Sequence, residues 1–414
     1  MQYLRNIYAR CSPTVWLLAL GRLVDMTTLW MAIPFMSLFV KNAGGSDVTV
    51  GLVLALNPVA QLLGNLVGGQ WSDRRGRRPV ILFAMGLRVF VFLGFAFSHT
   101  VWQLAALWFG NGLVNALFNP AYTAAIADAT PLDRRTEAFS LSRVASNLGV
   151  GLGPLLGSVL GVGAQQLIFT LAAISSAIVG AAFYFWLPET YAIDRVPPPA
   201  GGRLRQTFES WATIFADRAL LVFVAGGVLS QIAYGQIHSS LVLHLAAWLP
   251  DYETVYGLVW TLNGILVVLL QIPITAVFKR MPMMAASVAG CGTFAAGYLL
   301  FAWAGTGLQV HAATVVWTLG EIILAVPNTT YVTDIAPGSL RARYVGAAAL
   351  DRALGGVVAP VIGTAVLQAF GGRWAMTGAG ILVLGAGGLY AMAERERTRR
   401  LALEHDTVLK QHTS

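Results

Sequence analysis

Residues 69–79 read Gly69-Gln-Trp-Ser-Asp-Arg-Arg-Gly-Arg-Arg-Pro79, four arginines and an aspartate in one short gap between two strongly apolar segments. The contrast extends over the whole chain. Its 414 residues are 56% hydrophobic and 11% charged, where a soluble domain carries about 25% charged residues. Apolar runs long enough to cross the ~30 Å hydrocarbon core as helices recur from end to end. Twelve are read, at 14–40, 48–72, 79–98, 101–126, 139–161, 164–187, 219–245, 253–278, 282–304, 308–331, 344–369 and 373–393. The runs are continuous rather than alternating, which argues against membrane-spanning strands. The fold class expected is an all-α membrane protein.

The arginines of 69–79 also have a topological reading. The net charge of +8 would suit nucleic acid, but nearly all loop Lys and Arg fall on one side of a twelve-span topology, with only Lys41 and Arg373 opposite. By the positive-inside rule this places both termini and the 69–79 loop in the cytoplasm, the protein in the inner membrane, and no nucleic acid among its partners. The first apolar run lacks a small-residue cleavage site and continues through Pro34 and Phe39, so it is read as a retained span. Cys11 and Cys291 show no metal or redox spacing.

A Pro/Gly-rich segment, Leu187-Pro-Glu-Thr through Pro197-Pro-Pro-Ala-Gly-Gly202, separates six spans from six. The domains expected are a six-helix bundle at 1–189, a linker at 190–217, a second bundle at 218–395 and a tail at 396–414. Leu204, Phe208, Trp211 and Phe215 lie at helical spacing in the linker; an amphipathic helix on the membrane surface and a loop-packed helix are both compatible. The halves also repeat at a fixed offset of 206. Asp128, Pro131, Arg135, Gly149, Pro154 and Gly157 map onto Asp334, Pro337, Arg341, Gly355, Pro360 and Gly363, and Gly51-Leu-Val onto Gly257-Leu-Val. Gapless agreement in separate regions predicts an internal duplication in parallel orientation.

Over nearly its whole length the chain resembles the major facilitator superfamily of secondary transporters. The family's motif between helices two and three is matched by Gly69, Asp73, Arg74, Gly76, Arg77 and Arg78. Arg143-x-x-x-Asn147-Leu-Gly149-x-x-x-Gly153-Pro154-x-x-Gly157 is similar to the helix-five signature of its antiporter branch, and Thr318-Leu-Gly-Glu321 with Asp334-Ile-Ala-Pro337 is similar to its proton-coupled multidrug exporters. The resemblance implies two pseudo-symmetric six-helix bundles that work by alternating access. It implies that Asp73, Arg77 and Asp128 form a charge cluster that closes in one state. It also puts helices one, four, seven and ten along the translocation path. One departure stands out: helix four usually carries an arginine three residues before a Gln-Gly pair, and here Trp108 precedes Asn111-Gly112.

The chemistry of individual residues supports parts of this reading. Gly149, Gly153 and Gly157 share one helical face, which lets a neighbouring backbone approach, and Pro154 removes a helix hydrogen bond and favours a kink. Gating and ordinary small-residue packing both fit that pattern. Charged residues inside spans cost roughly 2.5–3.5 kcal/mol each on insertion scales, so each is a functional candidate. Asp25, Glu321, Arg22 and Arg88 are the candidates for proton coupling. A carboxyl group in a low-dielectric cavity can hold a proton and release it when the cavity meets a more alkaline side. Arg22 and Asp25, three apart, lie on one face and can instead be a structural pair.

Trp30, Asn111, Asn115, Phe118, Tyr234, His238, Trp260 and Trp317 are the candidate substrate contacts, aromatic faces being suited to cations. The function expected is proton-driven export of amphipathic, cationic or zwitterionic small molecules by a monomer in the lipid bilayer, with no cofactor. A transporter of a defined metabolite and a non-transporting sensor are the alternatives. No nucleophile–base constellation points to an enzyme.

Overall fold

The computed structural model describes residues 11–191, 214, 216–336 and 340–413. The linker positions Leu204, Phe208, Trp211 and Phe215, and Pro337 of the repeat, lie outside them. Twelve long helical segments stand at the twelve expected places among the described residues. They are α1 (Pro13–Asn42), α2 (Asp47–Arg75), α3 (Arg77–Ala96), α4 (Val101–Asp128), α5 (Arg135–Leu160), α6 (Gln165–Trp186), α7 (Arg218–Ala246), α8 (Tyr252–Phe278), α9 (Met283–Trp303), α10 (Gly307–Ile335), α11 (Arg341–Ala348 and Leu350–Phe370) and α12 (Gly372–Thr413). Ten contain windows apolar enough to cross a membrane; α4 and α5 do not, and these carry Asn111 and Asn115 and the motif residues Arg143 and Asn147. The tail from 396 continues α12 without a break.

Local chemistry sets the ends. Ser12 caps α1 with Pro13 in its first turn, Ser46 caps α2, Thr100 and Gln103 form a capping box on α4, and Asp217 caps α7. Each side chain satisfies amides that a helix start leaves unpaired. A single residue, Gly76, joins α2 to α3 at φ +93°, a backbone region open to glycine and costly for any residue with a Cβ. Two helices change pitch midway: α1 tightens at Ile33–Phe35 beside Pro34, and α7 holds a π-helical turn at Ile237–Leu241.

The chain forms two compact units. One holds Met1–Val196, His238–Ile265 and Pro360–Ala369; the other holds Pro197–Ile237, Leu266–Ala359 and Phe370–Ser414. In the first, α1 packs along α5 and α6, α2 along α4, and α3 along α4 and α6. In the second, α9 packs along α10 and α12, and α7 along α12. The pairs α1–α6, α3–α4 and α3–α6 thus recur as α7–α12, α9–α10 and α9–α12, as the sequence repeat predicts.

Within the first unit the glycine stripe of α5 lies against the backbone of α1. A Cβ on Gly149 would stand 2.8 Å from the Leu23 carbonyl, and one on Gly153 would stand 2.6 Å from that of Thr27, with Gly157 against Met31. The segments of α8 and α11 in this unit repeat that device. Gly257 of α8 packs on Pro154 and Ser158 of α5, while its repeat counterpart Gly51 of α2 packs on Pro360 and Thr364 of α11. Two glycines related by the offset therefore meet two prolines related by the same offset.

Candidate functional site

The arginine-rich turn is a built structure rather than a string of solvated charges. Arg77, 6% exposed, donates from Nε to Asp128 at 3.1 Å and from Nη1 to Asp73 at 2.6 Å and Ser72 at 3.0 Å. Its guanidinium also lies 4.8 Å from the Tyr191 ring centre. Asp73, Arg77 and Asp128 are thereby brought together. Glu189, just past α6, completes the turn: its carboxylate accepts from the backbone amides of Arg77 at 2.9 Å and Arg78 at 3.2 Å. An anion at a helix N-terminus satisfies orphan amides and complements the dipole, and a side chain at Gly76 would collide with it.

Other members of the motif do not join this cluster. Arg78 turns away, donating to the Tyr184 carbonyl at 2.7 Å. Arg74 and Arg143 are exposed. A Cβ at Gly69 would meet open space, whereas Gly68 packs on Ala116 of α4.

A second polar centre lies inside the first unit. Asp25 and Arg88 are 1% and 0% exposed, and Arg88 Nη1 donates to Asp25 Oδ1. Arg88 Nη2 donates to Asn115 at 2.8 Å, and its guanidinium sits 4.9 Å from the Phe118 ring centre. Arg22 approaches Asp25 Oδ2 at 3.6 Å and donates to Asn119 at 3.1 Å and Ser146 at 3.3 Å. Two guanidiniums thus share one carboxylate. Asn111, Asn115 and Asn119 recur every fourth residue on α4, so one helical face presents three amides. The Asn111 amide is buried, and neither its nitrogen nor its oxygen has a partner among the described residues. Trp108 donates its indole N–H to the Leu54 carbonyl of α2 at 3.1 Å. It is a packing residue, and the guanidinium beside α4 comes from Arg88 on α3.

The remaining candidates fall into two aromatic groups. In the first unit His238, in the π-turn of α7, stacks on Trp260 with ring centres 4.3 Å apart. Trp30 meets both rings edge-on, at 5.6 Å and 5.3 Å. Ser37 of α1 donates to the His238 carbonyl at 3.2 Å. In the second unit Tyr234 stacks on Trp317 at 5.6 Å, with the Glu321 carboxylate near its hydroxyl. Trp317 is fully buried against Phe294 and Tyr298.

A paired-half bundle with a buried charge centre and an arginine-rich turn is matched at the level of sequence. Residues 18–360 match the model of the Major Facilitator Superfamily. The chain belongs to the Major Facilitator Superfamily. Superfamily relatives include the multidrug resistance protein MdtH of Aeromonas hydrophila, 27% identical over 85% of this chain and 87% of its own length. Another is a Na(+), Li(+), K(+)/H(+) antiporter of Planococcus maritimus, 25% identical over 82% of this chain and 86% of its own. The fold also superposes on a crystal structure of a POT family transporter in complex with 5-aminolevulinic acid. The TM-score there is 0.76 at 13% identity, covering 92% of this chain and 96% of that one. The protein is a multi-pass membrane transporter of this superfamily.

Sequence reasoning missed Glu189, Asn119, Ser72 and Ser146. Glu189, the last residue of the first bundle as bounded from sequence, sits in the Pro/Gly-rich stretch that begins at Leu187, where no motif marks it. Asn119 carried a readable signal, the four-residue spacing from Asn111 and Asn115.

Proposed function

We propose that the protein exports amphipathic cationic or zwitterionic compounds across the cytoplasmic membrane in exchange for protons, by alternating access of its two halves, with both termini in the cytoplasm. The observation that carries the reading is the Glu321–Tyr234 pair. A phenol can donate to a carboxylate and accept from a carboxylic acid, so this contact survives both gain and loss of a proton. Asp25 is ion-paired with Arg88 and Arg22, so protonating it must release a guanidinium. Glu321 is therefore assigned the proton and the Asp25–Arg88 pair a charge switch that responds to it. The partly exposed rings of Trp30 and of Tyr234 suit organic cations, and the names of the two relatives are compatible with exchange of cations or drugs.

A second reading, proton-coupled transport of a defined metabolite, is favoured by Asn111, whose buried amide can accept and donate to a polar cargo. The test is flux in proteoliposomes under an imposed pH gradient, with a lipophilic cationic dye, K⁺ and a panel of sugars and amino acids as separate cargoes. Gradient-driven dye movement that is lost in Glu321→Gln, while dye–dye exchange persists, supports the reading. Dye movement unaltered by Glu321→Gln, or a gradient that drives only a polar metabolite, overturns it.

A further inference from the structure

The face of α3 that meets α6 leaves a trough of about 390 Å³ between the two helices. Its walls are apolar, Leu82, Val89 and Phe185 among them, and Gly86 and Gly180 deepen it because they carry no side chain. Arg78 stands at one end. From Arg78 to Val89 is eleven residues of α3, about 16 Å of helical rise, which is about half the ~30 Å hydrocarbon core. The lining itself begins at Leu82, one turn past Arg78, and runs to Val89, about 10 Å of that rise, on the side of the arginine-rich turn. Tyr184, Phe185 and Trp186, 58%, 73% and 71% exposed, crowd the same end of α6, as aromatic residues do at a membrane interface.

The charge at the mouth is unmatched. Arg78 donates one N–H to the Tyr184 carbonyl and lies over that ring at 5.6 Å, while its Nε has no partner. No carboxylate ion-pairs with this guanidinium among the described residues; Glu189 nearby accepts from backbone amides. Arg77, one residue earlier, is fully engaged with Asp73 and Asp128. Adjacent arginines of one motif thus have different tasks, one closing the charge cluster and the other held against Tyr184, which lines the end of the trough.

We propose that the α3–α6 trough is a binding site for an anionic phospholipid of the leaflet facing the arginine-rich turn, one acyl chain lying over Gly86 and Gly180 and the phosphate held by Arg78. A guanidinium matches phosphate in charge and donor geometry. The site is independent of the cargo and of the proton carrier.

The purified, delipidated full-length protein is titrated with dioleoyl-phosphatidylglycerol or dioleoyl-phosphatidylcholine, and bound lipid is read by native mass spectrometry together with Tm. Two variants separate headgroup from tail. Arg78→Gln is expected to erase a preference of about fivefold for phosphatidylglycerol while leaving phosphatidylcholine binding in place. Gly86→Leu fills the trough, and because a Cβ at Gly86 meets nothing within 4 Å the fold should persist. It is expected to weaken both lipids about equally. Equal binding of the two lipids by the wild type, retention of lipid by Gly86→Leu, or a protein dimer forming in place of lipid adducts would each overturn the proposal.

Discussion

Arg88 of α3 and Asp25 of α1 form an ion pair with both side chains fully enclosed, and Arg22 reaches the same carboxylate from one turn away along α1. Burial makes the pair asymmetric in its energetics. Removing one partner strands a desolvated charge, at a cost of about 3–5 kcal/mol, while removing both can be nearly neutral. Arg88→Gln should therefore lower the unfolding temperature in detergent well below that of Asp25→Asn/Arg88→Gln. Arg22→Gln should do less, since Arg22 is partly exposed. A double-mutant cycle is the measurement, and strict additivity of Asp25→Asn and Arg88→Gln would remove the pair from the account.

Tyr234→Phe keeps the stack on Trp317 and deletes only the hydroxyl beside Glu321. A hydrogen bond to a charged group contributes about 1.5–3 kcal/mol, so proton-driven flux should fall by about tenfold or more with expression and Tm nearly unchanged. Flux at the wild-type level in Tyr234→Phe would show that the phenol does not serve Glu321.

Glu189 caps α3, and its loss exposes two amides at once. Glu189→Ala should destabilise the turn by about 1 kcal/mol, the scale of a helix cap, and amide exchange at Arg77 and Arg78 should accelerate. Glu189→Gln retains an acceptor and should recover part of the protection. Unchanged exchange in Glu189→Ala would mean that Asp73 and Asp128 hold the turn without it.

The fold was legible because membrane helices are written in long apolar runs, and because the offset of 206 ties Gly51 to Gly257 and Pro154 to Pro360 before any coordinate is known. The charge cluster was legible through the motif, yet only in part. Spacing alone could not show that Arg77 turns inward and Arg78 outward, because successive helical residues differ by about 100° and the direction of each depends on neighbours from α4 and α6. Gly69 and Gly68 make the same point: the motif marks one, and close packing against Ala116 uses the other. Glu189 escaped because a carboxylate that caps a helix 112 positions away in sequence leaves no local pattern. Arg88 was recognised as costly, but its partner was left open; only the fold places α1 and α4 on either side of it.

Gly257 and Gly51 bear on how the transporter moves. Gly257 packs so closely on α5 that a Cβ would stand 2.6 Å from the Ser158 Cβ and 2.9 Å from the Pro154 carbonyl, while Thr261, one turn on, donates to the Gly151 carbonyl at 3.2 Å. The alternating access proposed above requires such contacts between the sequence halves to part and re-form, so a larger residue at either glycine should bias the balance toward the parted state. Gly257→Val should raise the labelling rate of Ser158→Cys by a water-soluble maleimide several-fold, in a background where Cys11 and Cys291 are replaced by serine. Gly51→Val should do the same for Thr364→Cys, because the repeat places Pro360 where Pro154 stands. Both should lower transport with little loss of Tm, since the parted state is itself a folded one. Slow labelling maintained in both variants would mean that these helix contacts are static, and that access changes at some other seam of the bundle.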